Sequence, residues 1–244
     1  MKICIFTAVF GMKMKNRHTK LETYAQPLDP EYKPDNIDFI YFTDKKEHPR
    51  FNSKIWELRS VDIDSKIGPI KMSKLYKILA YKFLPEYDIS IWMDTHCVPK
   101  LDKILEPLKY LENNSSIWFK HDERNCIYDE VKHCDKIKKD KLENMTPQIK
   151  KYKNDGFPEN FGLTENTIHW KRHDDPLFNK CMDDWWEEVK NGSIRDQICL
   201  MYCFWKNNYT NYKMLDSETE NMEKYKTKYY KRNGYNDEIR LLKC

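Results

Sequence analysis

Residues Ile3–Phe10 form a continuous apolar run closed by Gly11, the pattern of a strand buried on both faces in a parallel sheet. A sheet of that kind needs helices on its faces, and the following sequence supplies them. Ile37–Phe42 reads as a second strand ending at Thr43-Asp44, and residues 54–59 as a shorter third. Between the first two, residues 12–36 are polar and carry Pro27, Pro30 and Pro34, which reads as a loop-rich stretch. From Lys71 to Phe83, apolar Met72, Leu75, Tyr76, Leu79 and Phe83 recur at helical spacing. Lys71, Lys74 and Lys77 gather on the opposite face, either as a solvated surface or as cations that meet phosphate charge.

After Pro85 the segment Asp88–Met93 is a strand running into Asp94-Thr95-His96. Leu101–Leu111 reads as a helix, Ser116–His121 as a strand and Ile127–Lys138 as a helix. Asp174 or Asp175 caps a helix that starts at Pro176 and buries Leu177, Cys181, Trp185 and Val189. Ser193 then caps a helix whose first turn is Ile194-Arg195-Asp196-Gln197 and whose inner face takes Leu200, Cys203 and Phe204. Tyr212–Leu215 reads as a last strand. Strands alternating with helices define an α/β class, a single domain over residues 1–215, with 216–244 a polar tail of little core content, free or packed on the domain.

Composition narrows the partners. Lys+Arg 43 against Asp+Glu 39 leaves a net charge of +4 with the lysines spread along 244 residues, too balanced for a nucleic-acid partner. The eight cysteines are scattered and read as reduced, mostly buried thiols. His121, Cys126, His133 and Cys134 lie close in sequence but lack the paired spacing of a structural zinc site. The opening apolar run is too short for a membrane span, no other long apolar stretch exists, and Lys13 and Lys15 follow Gly11, so neither a transmembrane segment nor a signal peptide is read here. The expectation is a cytoplasmic protein, associated with a membrane only if something recruits it.

Ligands of open α/β sheets bind beyond the carboxyl ends of the strands, where Asp94 and His96 fall. Two residues apart, they face one side if the extended geometry persists, and could share a divalent cation. The alternative is a local turn with Asp94 as a capping group. Asp196 likewise reads either as a catalytic carboxylate or as a residue supporting the cap at the third helical position. His121 with Arg124, and Arg172 with His173, each pair a cation with a titratable base near a strand end.

Taken in order, several of these pieces resemble the TOD/MUCI-type glycosyltransferase-like family: Phe6-Thr7-Ala8 through Gly11; Phe42-Thr43-Asp44; Lys74 and Lys77; Ser90–Asp94; His121 with Arg124, Cys126, Tyr128 and Glu130; Gln148 and Tyr152; Gly156-Phe157-Pro158; Gly162-Leu163; Arg172-His173; Trp185-Trp186; and Arg195-Asp196-Gln197. The resemblance spans roughly residues 3 to 205. It implies a GT-A-like, Rossmann-related single domain with a mostly parallel central sheet, acting as a hexosyl- or pentosyltransferase in surface polysaccharide or glycoprotein glycan synthesis. The implied partners are a UDP- or GDP-sugar donor and a glycan acceptor, and the implied cofactor is Mn2+ or Mg2+. By the same resemblance Asp94 matches the first Asp of a DXD-type motif, while His96 enters as a metal ligand only through its spacing from Asp94. The family usually continues with Gly and Asn where this chain has Thr95 and His96. Thr7, Ala8, Thr43, Asp44, Lys74, Lys77, Asp94, His121, Arg124, Arg172 and His173 are implied donor-binding residues. Asp196, with Arg195 and Gln197, is the implied catalytic or sugar-binding group, a general base if the reaction inverts. Two other readings remain at this point: a hydrolase with a metal on His121, His173 and Asp94, and a domain that binds nucleotide or glycan without turnover.

Overall fold

A computed structural model of the chain describes residues 1–11, 13–16, 22–24, 26–45, 51, 53–216, 228–232 and 239–241. In chain order the elements are β1 (Ile3–Val9), β2 (Lys13–Asn16), β3 (Glu22–Tyr24), β4 (Ile37–Thr43), β5 (Trp56–Ser60), α1 (Pro69–Ile78) and α2 (Ala80–Phe83). Then come β6 (Ile89–Met93), β7 (Cys97–Pro99), α3 (Leu101–Ile104), a 3-10 helix (Glu106–Glu112), β8 (Ser116–Lys120), α4 (Ile127–Lys136) and α5 (Leu142–Asn154). The chain continues with β9 (Thr164–Arg172), α6 (Pro176–Asn191), α7 (Gln197–Lys206), β10 (Tyr212–Leu215), β11 (Tyr230–Arg232) and β12 (Ile239–Leu241).

The main sheet has seven strands in the order β10-β8-β9-β6-β1-β4-β5. β1 pairs in parallel with β4 and β6, β4 with β5, and β8 with β10, whereas β9 runs antiparallel to both β6 and β8. Within this sheet every strand but β9 therefore points one way, and this is the expected α/β class with a mostly parallel central sheet flanked by helices. The chain goes outward from β1 to β4 and β5, then crosses over through α1 to β6 on the other side of β1. The β1/β6 boundary is thus the topological switch point, where carboxyl ends of strands splay and leave a crevice.

Strand alternation assigns the two faces. Cys4, Phe6, Ala8 and Phe10 pack with Ile40, Phe42 and Trp92 against Met72 and Tyr76 of α1. Ile3, Ile5 and Val9 point the other way, into a core closed by Leu101, Ile104, Leu111, Tyr229 and Tyr230. A third cluster joins α6 and α7 to Trp118 through Trp185, Cys199, Cys203 and Phe204. Fully burying one such aromatic side chain contributes about 1.5–3 kcal/mol. Asp175 caps α6, its Oδ1 accepting the amide protons of Leu177 and Phe178 at 2.9 and 3.0 Å.

Several expectations need correction. Residues 12–36 hold two strands, β2 and β3, which pair with each other, and β12 pairs with β2. The helix expected over Leu101–Leu111 breaks into α3 and the 3-10 turn, because Pro107 has no amide proton to give. The helix expected from Lys71 to Phe83 ends at Ile78, where Leu79 leaves helical geometry. Leu177, placed in the buried stripe, is 44% exposed, and Phe178, Met182 and Trp186 take inward positions instead. The helix α5 and the strand β9 had no counterpart in the sequence reading. Beyond residue 215, β11 pairs with β7 and brings Tyr229 and Tyr230 into the core. Seven cysteines are buried and free, as expected, and Cys244 lies outside the described residues. No helix among the described residues is long and apolar enough to cross a membrane.

Candidate functional site

The lysine stripe of α1 faces protein rather than solvent. Lys71 donates to the carbonyls of Lys190 and Gly192 at 2.7 and 3.3 Å, closing the end of α6. Lys74 donates to Asp196 Oδ1 at 3.0 Å and Lys77 lies 2.8 Å from Asp196 Oδ2. Three successive turns of one helix thus clamp the short connection between α6 and α7. The expectation that this face is merely solvated is corrected.

Asp196 is almost wholly buried, and although it occupies the N-cap position of α7 its side chain caps nothing. The helix expected to begin behind a Ser193 cap starts only at Gln197, and the Ser193 Oγ instead accepts the Arg195 amide at 3.0 Å within the connection that precedes it. The carboxylate of Asp196 is instead committed to the two ammonium groups. Burial alone would push its pKa up; Lys74, Lys77 and Arg195 overcome that and hold it far below the usual carboxylate range. Such a group is a weak proton acceptor, so the geometry suits an anchor better than a general base. For Lys77 the same pairing outweighs burial and raises the pKa, whereas for Lys74 burial wins and the pKa is lowered.

The other partner of Lys77 is Asp94, at 3.9 Å, on the carboxyl end of β6. Trp92 Nε1 donates to Asp94 Oδ1 at 2.8 Å, and the Trp92 ring lies 5.4 Å from Lys77 Nζ. Asp94 keeps 34% of its side chain exposed, against 3% for Lys77 and 23% for Lys74, so Asp94 and Lys74 are the members of the cluster that a ligand meets first. The chain does not stay extended after Asp94. Cys97 N donates to Asp94 O at 2.9 Å and the chain turns at Thr95-His96, which removes the premise that put Asp94 and His96 on one side. Among the described residues no three His, Cys, Asp or Glu side chains group to hold a metal.

A second cluster adjoins the first through Arg195, whose Nη2 lies 3.8 Å from Glu130 Oε1. Glu130, nearly fully buried, accepts from Arg124 Nε at 2.7 Å and from the Cys134 thiol at 3.2 Å. His121 Nδ1 faces the amides of Glu123 and Arg124, each at 3.2 Å, and its Nε2 lies 3.3 Å from Arg124 Nη2 and 3.7 Å from Glu130 Oε2. Burial, with Arg124 adding to it, lowers the His121 pKa despite Glu130. Gln197 accepts from Arg195 Nη2 through Oε1 and donates to Thr164 O at 3.2 Å. Asp94, the Lys77 and Lys74 pair, Asp196, Arg195, Glu130 and Arg124 therefore form one connected run of charged groups that ends on His121, with Asp94 and His121 at the carboxyl ends of β6 and β8. Glu130, which ties the two halves together, was read in sequence only as part of a motif.

The remaining sequence candidates fall elsewhere. Thr43-Asp44 ends β4 on the same edge, and Asp44 accepts the Gly11 amide at 2.9 Å, tying the ends of β1 and β4 together. Thr7 and Ala8 are buried within β1, Ala8 on the α1 side and Thr7 on the other, where its hydroxyl has no hydrogen-bond partner. Arg172 and His173 lie at the opposite edge. Arg172 pairs with Ile89, the first residue of β6, and His173 N donates to Asp88 O at 3.0 Å. Four residues of extended strand separate that register from Met93, about 13 Å. A metal shared by His121, His173 and Asp94 is therefore not assembled.

Beneath the cluster lies a floor that sequence reasoning missed. His169 of β9 is fully buried, 4.5 Å from the Trp118 ring and 6.4 Å from the rings of Trp92 and Trp185, and neither ring nitrogen has a hydrogen-bond partner. Burial, then Lys171, Lys77 and Lys74, push its pKa well down, so the imidazole is neutral. Trp185 Nε1 donates to the carbonyl of Asp196 at 2.8 Å. Two tryptophans of this floor thus hold the Asp94 carboxylate and the Asp196 backbone.

The fold and site define an α/β protein with a buried carboxylate–dilysine cluster at its switch point. The model of the TOD1/MUCI70, glycosyltransferase-like domain matches residues 52–230, most of the chain, and the protein belongs to that family. No curated protein sequence matches. Among solved structures, the crystal structure of mouse xyloside xylosyltransferase 1, apo form, is similar over 88% of this chain and 84% of that one, with 10% identity and a TM-score of 0.47.

Proposed function

We propose that this protein is a cytoplasmic glycosyltransferase moving a hexosyl or pentosyl group from a UDP- or GDP-sugar to a hydroxyl of a glycan acceptor, in the making of a surface polysaccharide or a glycoprotein glycan. The observation that carries this reading is the pair of ammonium groups, Lys74 and Lys77, fixed on buried Asp196, with Lys77 also facing Asp94 at the carboxyl end of β6 beside the β1/β6 switch point. A donor diphosphate gains negative charge as the glycosidic bond breaks, and preorganised cations in a partly buried site oppose that charge without reorganising. Lys74 meets the diphosphate, Lys77 adds its field from beneath, and Asp196 with Arg195 and Gln197 holds them and borders the sugar. In this reading Thr43 and Asp44, with Thr7 and Ala8 behind them, serve the base and ribose, and His121 and Arg124 serve the remainder of the donor. A divalent cation, Mn2+ or Mg2+, would take Asp94 and donor oxygens as ligands and supply Lewis-acid stabilisation of the leaving group.

The test is a melting-temperature screen against nucleotide-sugars and nucleoside diphosphates, each with and without manganese. A donor at one hundred times its dissociation constant stabilises by about 2.7 kcal/mol. The reading expects a manganese-dependent rise with one nucleotide class that Asp94→Ala abolishes. A rise with metal alone, and none with any nucleotide, would overturn it.

A further inference from the structure

Lys171, one residue from the end of β9, is 1% exposed and pairs with no carboxylate among the described residues. Its backbone neighbours across the sheet are Ser90 and Ser116, and its ammonium lies 5.9 Å from the Phe6 ring. Its hydrogen bonds go to the end of α1: Nζ donates to Lys77 O at 2.6 Å and to Ile78 O at 3.2 Å. Those are carbonyls of the last helical turn, which an α-helix leaves without internal partners. The chain departs from helical geometry at the next residue, Leu79. A buried lysine is costly to keep, and here it is spent on the backbone of the residue whose side chain grips Asp196.

We propose that Lys171 is a positioning residue of the donor site: by bonding the terminal carbonyls of α1 to the central strand β9, it fixes the axial position and rotation of that helix and so sets where Lys74 and Lys77 stand. The inference rests on the transferase reading above. It needs no particular protonation state, since ammonium and neutral amine both have two N–H groups to give. The leverage is geometric. Lys77 is held at both ends, its carbonyl by Lys171 and its Nζ by Asp196, and Lys74 lies three residues earlier on the same helix, so a rotation of the last turn moves both ammonium groups together.

The experiment is calorimetric titration of UDP and GDP, with manganese, into the wild type, Lys171→Met, Lys74→Met and the double variant, with melting curves on each. Lys171→Met is expected to weaken diphosphate binding roughly tenfold, and this loss is expected to shrink to about threefold or less when Lys74 is already Met, because coupled residues are not additive. A lowered melting temperature with unchanged affinity, or losses that simply add, would overturn the proposal. Wild-type protein that binds neither diphosphate would overturn the transferase reading and this inference with it. Should Lys171→Met fail to melt cooperatively, Lys171→Gln, a polar side chain whose amide ends one bond short of the Nζ position and so falls short of the α1 carbonyls, carries the same cycle with the same outcomes expected.

Discussion

Replacing Asp196 by Asn keeps the size of the side chain and removes its charge, so it isolates what the cluster costs and contributes. In the native protein Lys77 is 3% exposed at its side chain and has Asp196 at 2.8 Å and Asp94 at 3.9 Å. Without Asp196 it keeps one distant carboxylate and no room to reach water. Lys74, at 23% exposure, can swing outward and loses less. Breaking a buried ion pair from one side costs about 3–5 kcal/mol, chiefly the charge left behind, which for a chain of this length is roughly 6–20 °C of melting temperature. The sign with pH follows from linkage. Asp196 has a folded pKa held below its unfolded value of about 3.9. Its contribution is therefore complete above that pH and lost as the pH falls through the folded value. Urea titrations at pH 7 and pH 3 test both statements: the variant is expected to lose most at pH 7 and to lie closer to wild type at pH 3. A cost under 1 kcal/mol at pH 7, or an equal cost at both pH values, would refute the reasoning.

Lys74→Ala is expected to weaken nucleoside diphosphate binding at least tenfold while costing less stability than Asp196→Asn, measured by titration and melting on the same samples. Arg172→Ala, although drawn from the same sequence motifs, is expected to leave that affinity within twofold, since Arg172 lies at the far edge of the sheet. Gly11→Ala is expected to cost about 1–3 kcal/mol by chemical denaturation, because φ is +60° there and a Cβ would stand 2.8 Å from Pro69 Cβ.

The parts of the fold that the sequence announced are those where one physical signal dominates. β1, β4 and β6 are buried on both faces and read as apolar runs; α6 carries Pro176 after a capping Asp. β9 was illegible for the opposite reason. Its Thr164-Glu165-Asn166-Thr167-Ile168-His169-Trp170-Lys171-Arg172 sequence puts polar and charged groups inside the protein, and its register with β8 shifts between Trp118 and Phe119. Such a segment has neither an apolar run nor a clean alternation. α5 hid behind Pro147, which lies within the helix. For the site, spacing placed Lys74 and Lys77 on one face but could not name Asp196 as their partner, 122 residues from Lys74. Asp196 had a local explanation as a cap that only the three-dimensional arrangement removes. Arg172-His173 carried the same kind of local signal as His121-Arg124, and the direction of β9, invisible in the sequence, sent it to the wrong edge.

The measurement that tests the central claim most directly is release of nucleoside diphosphate from a panel of UDP- and GDP-sugars in the presence of manganese and glycan acceptors, by the wild type and by Lys74→Ala and Arg172→Ala side by side. The account predicts release from one donor class, a loss of at least tenfold with Lys74→Ala, and near wild-type rates with Arg172→Ala. Release that survives Lys74→Ala unchanged, or that Arg172→Ala abolishes in a folded protein, would contradict it.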